Sequence, residues 1–157
     1  MDEVLTRYFG AEKSESLLFI AIGILAIGVS AWLLATRSPF RAAAWPLIAI
    51  AAIQIVVGST VYFRTDKQVA DLRATLKSGD ASAEIARMTT VMRSFVLYRW
   101  IEIALAVAGL LMTLLARNSL HWRSAGMALA AQALIMLLLD LFAEDRGQIY
   151  LDALQRM

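Results

Sequence analysis

The sequence has no cysteine and a single histidine in 157 residues. Without thiols, disulfides, thiolate metal sites and cysteine redox chemistry are excluded. The one imidazole, His121, stands beside Trp122 at the opposite end of the chain's helices from the acidic residues. That argues against histidine-containing di-iron or zinc sites and against histidine-ligated haem. Proline occurs only twice, as Pro39 and Pro46, so little interrupts helix. The net charge of +2 is small, and no basic patch with interleaved aromatics marks a nucleic-acid interface. Also missing are a Gly-rich phosphate loop, a Ser-His-Asp order, and HExxH or DxxD signatures.

What fills the chain is apolar. Hydrophobic residues make up 60% of it and the mean hydropathy is +0.65, against an apolar share of roughly 45–50% in soluble domains. Leu17–Thr36 and Ala42–Phe63 carry no charge and are long enough for a bilayer core of about 30 Å. Ser124–Leu139 needs the residues up to Ala143 to complete a span. Ile103–Ala116 spans only if its helix starts near Ser94, which draws Arg99 and Glu102 into the membrane zone. The reading is an all-α integral membrane protein: one domain over 1–157, an up-down bundle with spans at about 17–36, 42–63, 95–116 and 123–143. The first stretch reads as a span rather than a cleaved signal, because four acids precede it and no Ala-x-Ala site follows.

Punctuation and periodicity give the remaining elements. Val4, Leu5, Tyr8 and Phe9 recur at helical spacing before Gly10, predicting a short amphipathic helix over 1–10 on the membrane surface. Arg37-Ser-Pro-Phe-Arg41 predicts a tight turn. Beyond Phe63 the stripe Val69, Leu72, Leu76 continues. After a turn at Ser78–Ala81, capped by Asp80 or Ser82, a second stripe runs Ile85, Met88, Met92, Phe95. Helices two and three are therefore expected to extend over 64–94 as a hairpin outside the bilayer, packed on itself. Carried on by four and three residues, that second stripe reaches Arg99 and Glu102, then Ala106, Gly109 and Thr113, small residues suited to close helix approach.

The two ends of the spans differ. The end with the 36–42 and 117–123 turns (side A) holds Arg37, Arg41, Arg117 and Arg123 and no acid. Side B takes both termini, all thirteen acids and the other eleven of the fifteen Lys and Arg. Trp32, Trp45 and Trp122 lie at side A and the four tyrosines at side B, as interfacial belts. Counting Lys and Arg alone places both termini in the cytoplasm of a bacterial inner membrane, although the arginine-rich turns point the other way.

Charges within spans mark functional sites by default. At 1.5 Å rise per residue, Glu102 lies roughly 21 Å and Asp140 roughly 27 Å from side A, with Thr60 and Tyr62 near the same level. The candidate site is therefore Arg99, Glu102, Asp140, Glu144, Thr60 and Tyr62, with Glu15 at its edge. Glu102 and Asp140 are the candidate acid–base pair, and Glu102, Asp140 and Glu144 the candidate ligands for a hard divalent cation. Gln54 and Gln132 share a deeper layer, where an amide pair would bridge helices two and four.

A structural reading stands beside the functional one, since Arg99 could pair with Glu102 or Asp140 and pin the bundle. Asp145, Arg146 and Asp152 read as a solvated face. Three functions follow from these residues: a non-catalytic binding or assembly component, with the bilayer, a second copy or another membrane protein as partner; a lipid-headgroup enzyme using Glu102 and Asp140; or a cation- or proton-conducting oligomer.

Overall fold

Runs of Ala, Leu, Ile and Val with so few breakers favour uninterrupted helix, and the computed structural model, which describes residues 2–77 and 81–156, is built almost wholly of it. Four long helices follow one another: α1 (Asp2–Ala35), α2 (Ala44–Lys77), α3 (Ser82–Leu115) and α4 (Leu120–Gln155), with a short 3-10 turn at Arg41–Ala43 before α2. Each is long and apolar enough to cross a membrane. A helix of 34 residues is about 51 Å long. That exceeds a bilayer core by roughly 20 Å.

Contacts fix the topology. Ser30 meets Ala44, Glu12 meets Thr65 and Thr6 meets Arg73, so α1 and α2 run antiparallel. Gly109 against Gly126 and Ala130, Met92 against Gly147 and Arg99 against Glu144 make α3 and α4 antiparallel as well. The two tight pairs are α1 with α2 and α3 with α4.

Glycine sets the distance within each pair. A Cβ on Gly58 would stand 2.8 Å from the Ser16 carbonyl oxygen, and one on Gly126 would stand 2.6 Å from that of Gly109. Backbones this close exchange dispersion along their length, the main adhesive where lipid removes the hydrophobic gain. The turn after α1 is as expected. Ser38 N–H bonds to the Leu33 carbonyl and Arg37 N–H to that of Leu34, a Schellman closure. Arg37 occupies the left-handed position at φ 49.

Three expectations need correction. Gly10 does not stop a helix: α1 passes through it. A single glycine costs only about 1 kcal/mol in a helix. The first turns of α1 bury Leu5, Tyr8 and Phe9 in a cluster with Leu72, Met88, Tyr150, Leu151 and Leu154, and so pack on the bundle instead of lying apart as a surface helix. Second, the two arms of the 64–94 hairpin meet each other in the cluster at this end, Val69 and Leu72 with Ile85, Met88 and Met92, but each packs more closely on another helix. α2 leans on α1 and α3 on α4, and all four helices reach the cluster at this end. Gln68, with its amide turned to accept, still takes hydrogen bonds from Arg87 at 3.0 Å. Third, Ser82 is the first residue of α3 and Ala81 stands at its N-cap position. The rest of the expected turn, Ser78–Asp80, lies outside the described residues.

Candidate functional site

The stripe of α3 delivers its polar residues to the seam as its spacing requires. Met88, Glu102 and Gly109 are buried, and Phe95, Arg99, Ala106 and Thr113 are partly buried, whereas Val96, Leu97, Trp100 and Ile101 face outward. Helical side chains tilt towards their own N-terminus. In an antiparallel pair, Glu102 on α3 therefore leans towards side B and Asp140 on α4 leans towards side A. The two meet although their backbones differ in height. Asp140 of α4 is the acid that faces Glu102 across the seam. Glu102 is only 4% exposed, and its Oε2 has no partner.

Every cation around the pair is engaged elsewhere. Arg99 forms an ion pair with Glu144 and Arg146 one with Glu15. Lys13 holds Asp66 at 2.7 Å and lies 4.7 Å over the Tyr62 ring. Arg64 stands 3.9 Å from Glu12, which also accepts from the Thr65 hydroxyl at 3.2 Å. Glu12, which precedes the span expected at 17–36, has its carboxyl pushed up, chiefly by burial, with Arg64 and Thr65 pulling the other way. Four cations and four carboxylates thus pair off, and Glu102 and Asp140 are left without a counter-charge. This layer ties α1 to α2, α1 to α4 and α3 to α4.

The residues expected at the site divide. Arg99, Glu102, Asp140 and Glu144 are brought together across the α3–α4 seam. Thr60 is not among them: it is exposed and its hydroxyl bonds to the Val56 carbonyl of its own helix. Tyr62 lies half-buried under Lys13 on the α1–α2 side. Arg99 pairs with neither Glu102 nor Asp140 but with Glu144. Among the described residues no three acidic or histidine side chains converge enough to hold a metal ion. Glu144, the third expected ligand, is turned to Arg99. Arg146, read as solvated, is drawn into the bundle by Glu15; only Asp145 of that set stays plainly exposed beside it. The apolar stripe Gly147, Tyr150, Leu151, Leu154 on α4 was the signal that Arg146 flanks a seam.

Two further polar groups lie above and below. Towards side A, Gln132 Nε2 donates to Gln54 Oε1 at 2.7 Å, the expected amide bridge between α2 and α4. The Gln54 Nε2 has no partner. Towards the chain ends, Glu84 is 6% exposed. It accepts from Arg87 at 2.7 Å and from the Tyr150 hydroxyl at 3.2 Å. Tyr8 stacks on Tyr150 at 4.3 Å. Burial first, and then the charges of Glu12 and Glu84, push the Tyr8 phenol up to about 12. Burial likewise raises Tyr150. The Glu84, Arg87 and Tyr150 side chains satisfy one another and, with Tyr8, hold the helix ends together.

The carboxyl pair is the group that still offers chemistry. It carries an acceptor shut from water, set in an apolar seam, with no cation assigned to it. Comparison of the chain with known protein families, with curated proteins and with solved structures finds no match.

Proposed function

We propose that the chain is a membrane-embedded binding component, an up-down bundle of four spanning helices that takes a cationic ligand at Glu102 and Asp140. One observation carries the reading. Glu102 is 4% exposed with an unpartnered carboxyl oxygen, while each neighbouring cation is matched to another acid. A buried acceptor left open costs about 1–3 kcal/mol, more for a charged group. A ligand that donates to it recovers that free energy on binding. Intramembrane carboxylates that face a bundle interior serve such uses more often than lipid-facing ones.

In this reading the spans lie at about 17–36, 42–63, 95–116 and 123–143. The cluster around Tyr8, Met88 and Tyr150 projects roughly 20 Å beyond the hydrocarbon at side B. The Lys and Arg count sets both termini on the cytoplasmic side of a bacterial inner membrane. The projecting end is then the part that a membrane-protein partner or a second copy meets. Non-catalytic binding is favoured over headgroup chemistry because the pair lacks any nucleophile, metal site or phosphate cradle beside it. It is favoured over conduction because towards side A the polar side chains of the interior are the Gln54–Gln132 pair and the hydroxyls of Ser30, Thr113 and Ser124, each bonded to a backbone carbonyl.

The test uses ethanolamine as a small cationic probe, titrated calorimetrically into the protein in nanodiscs. Saturable binding that disappears in both Glu102→Gln and Asp140→Asn, and persists in Asp145→Asn, supports the reading. Equal binding in all four proteins, or none in the wild type, overturns it.

A further inference from the structure

The four arginines at side A have no acid to meet. Arg37, Arg41, Arg117 and Arg123 are all exposed. Among the described residues none of them enters an ion pair or a side-chain hydrogen bond. The chain holds no Asp or Glu from 16 to 65 or from 103 to 139. Along α3 and α4 the nearest carboxyl groups, Glu102 and Asp140, therefore lie more than roughly 20 Å from Arg117 and Arg123. Side B differs. Five of its cations are held by acids, and its acids outnumber its bases. Side A carries +4 and side B −2, which together make the net +2 of the chain.

The fold gathers the unmatched charge. The 3-10 turn Arg41–Ala43 packs on α4, which begins at this end. Ala42, Ala43, Ser124 and Ala125 are buried there. Arg41 and Arg123 thus lie on elements in contact, and Arg37 and Arg117 lie in the turns that lead into them. Trp32, Trp45 and Trp122, close to these arginines in the chain, are 62, 66 and 57% exposed. Exposed indoles of a spanning protein sit at headgroup level. Both turns are short, so the arginines stay at that level and do not project into water as the side B end does.

We propose that side A is a docking surface for phospholipids of net negative charge. Guanidinium groups bind phosphate through paired N–H donors, and each arginine at the bilayer surface favours an anionic leaflet roughly fivefold. A zwitterionic lipid offers the same phosphate but brings its own cation, which the unmatched arginines repel. An acidic protein segment would have to descend among the headgroups to meet turns this short. None of these residues belongs to the carboxyl pair, so the proposal stands or falls apart from the cation reading.

The tryptophans report on the patch. Trp100→Phe leaves fluorescence from side A alone, and Trp32→Phe/Trp45→Phe/Trp122→Phe leaves it from Trp100 at side B. Each protein is placed in vesicles of phosphatidylcholine and phosphatidylglycerol, with one lipid or the other brominated near the top of its acyl chains. At side A, brominated phosphatidylglycerol should quench at a roughly fivefold lower mole fraction than brominated phosphatidylcholine, whereas Trp100 should not distinguish them. High salt should remove the preference without any substitution. In the Trp100→Phe background, Arg37→Gln/Arg41→Gln/Arg117→Gln/Arg123→Gln should also remove it. Arg7→Gln/Lys67→Gln/Arg93→Gln/Arg156→Gln, which takes the same charge from exposed side B positions, should leave it unchanged. Equal quenching of the side A tryptophans by the two lipids overturns the proposal. So does a preference that survives the side A substitutions or high salt, that the side B set also abolishes, or that Trp100 shows equally.

Discussion

Replacing Gly109 by alanine tests the packing that holds the site together. An added Cβ would stand 2.6 Å from the Ala130 nitrogen and 2.7 Å from the Gly126 carbonyl oxygen. Both obstacles are backbone on the facing helix, so no rotamer change relieves them. To reach an ordinary contact of about 3.5 Å, α3 and α4 must part by roughly 0.8 Å. A gap of that size forfeits a quarter to a half of each dispersion contact along the seam. Overpacking of this kind costs about 1–3 kcal/mol, and the better helix propensity of alanine returns up to about 1 kcal/mol. The net expectation is destabilisation by about 1–2 kcal/mol.

Gly28 is the matched control, because nothing lies within 4 Å of a Cβ built there. Gly28→Ala should stabilise by about 0.5–1 kcal/mol. Unfolding followed by circular dichroism in the same detergent separates the two by sign, at about 2–4 °C per kcal/mol for a chain of this size. Equal shifts for Gly109→Ala and Gly28→Ala would refute the close α3–α4 contact.

Four other perturbations follow from the same structure. Gln132→Leu leaves the Gln54 amide without its partner and should cost about 1–3 kcal/mol, while Gln54→Leu/Gln132→Leu together should cost less than that single change; denaturation of the three proteins in one detergent decides it. Tyr150→Phe removes the hydroxyl that donates to the buried Glu84 and should lower stability by about 1.5–3 kcal/mol, the worth of a bond to a charged group, read in the same assay. Arg37→Gly relieves the left-handed backbone at φ 49 and should raise stability by about 1 kcal/mol. Burial holds the Glu12 carboxyl above its unfolded value, so the fold keeps the proton more tightly than the unfolded chain. That contribution is fully present at low pH and is lost as pH rises through the folded value. Glu12→Gln should flatten this part of the unfolding-temperature profile.

Sequence periodicity carried the α3 seam further than any other feature. The stripe from Ile85 to Thr113 alternates with outward-facing Val96, Leu97 and Trp100, so the burial of Glu102 was legible. The amide bridge was legible too, because depth counting puts Gln54 and Gln132 at one level and a lone amide in an apolar span needs a partner. Periodicity does not name the partner helix. The stripes on α2 and α3, joined by a short turn, meet in the cluster at side B, but deeper in the bundle the glycines choose other partners: Gly58 admits α1 and Gly109 admits α4.

Gly10 misled for a local reason. Its propensity cost is small beside the burial of Leu5, Tyr8 and Phe9 on either side of one continuous helix. At Thr60 the rotational setting of α2 was at fault. Val56, Val57, Val61 and Tyr62 are apolar all round, so nothing distinguished the outward Thr60 from Thr65, which reaches Glu12. The Arg146–Glu15 pair joins the two ends of the chain, a contact that no local pattern encodes.

The central claim is that Glu102 and Asp140 form an open carboxyl pair that receives a cation. Dicyclohexylcarbodiimide tests it most directly, because it enters from lipid and labels un-ionised carboxyl groups in apolar surroundings. The expected result is labelling of Glu102 or Asp140, located by peptide mass spectrometry, that fades as ethanolamine is added and vanishes in Glu102→Gln/Asp140→Asn. Labelling confined to other acids, or labelling of this pair that no amount of ethanolamine reduces, would contradict it.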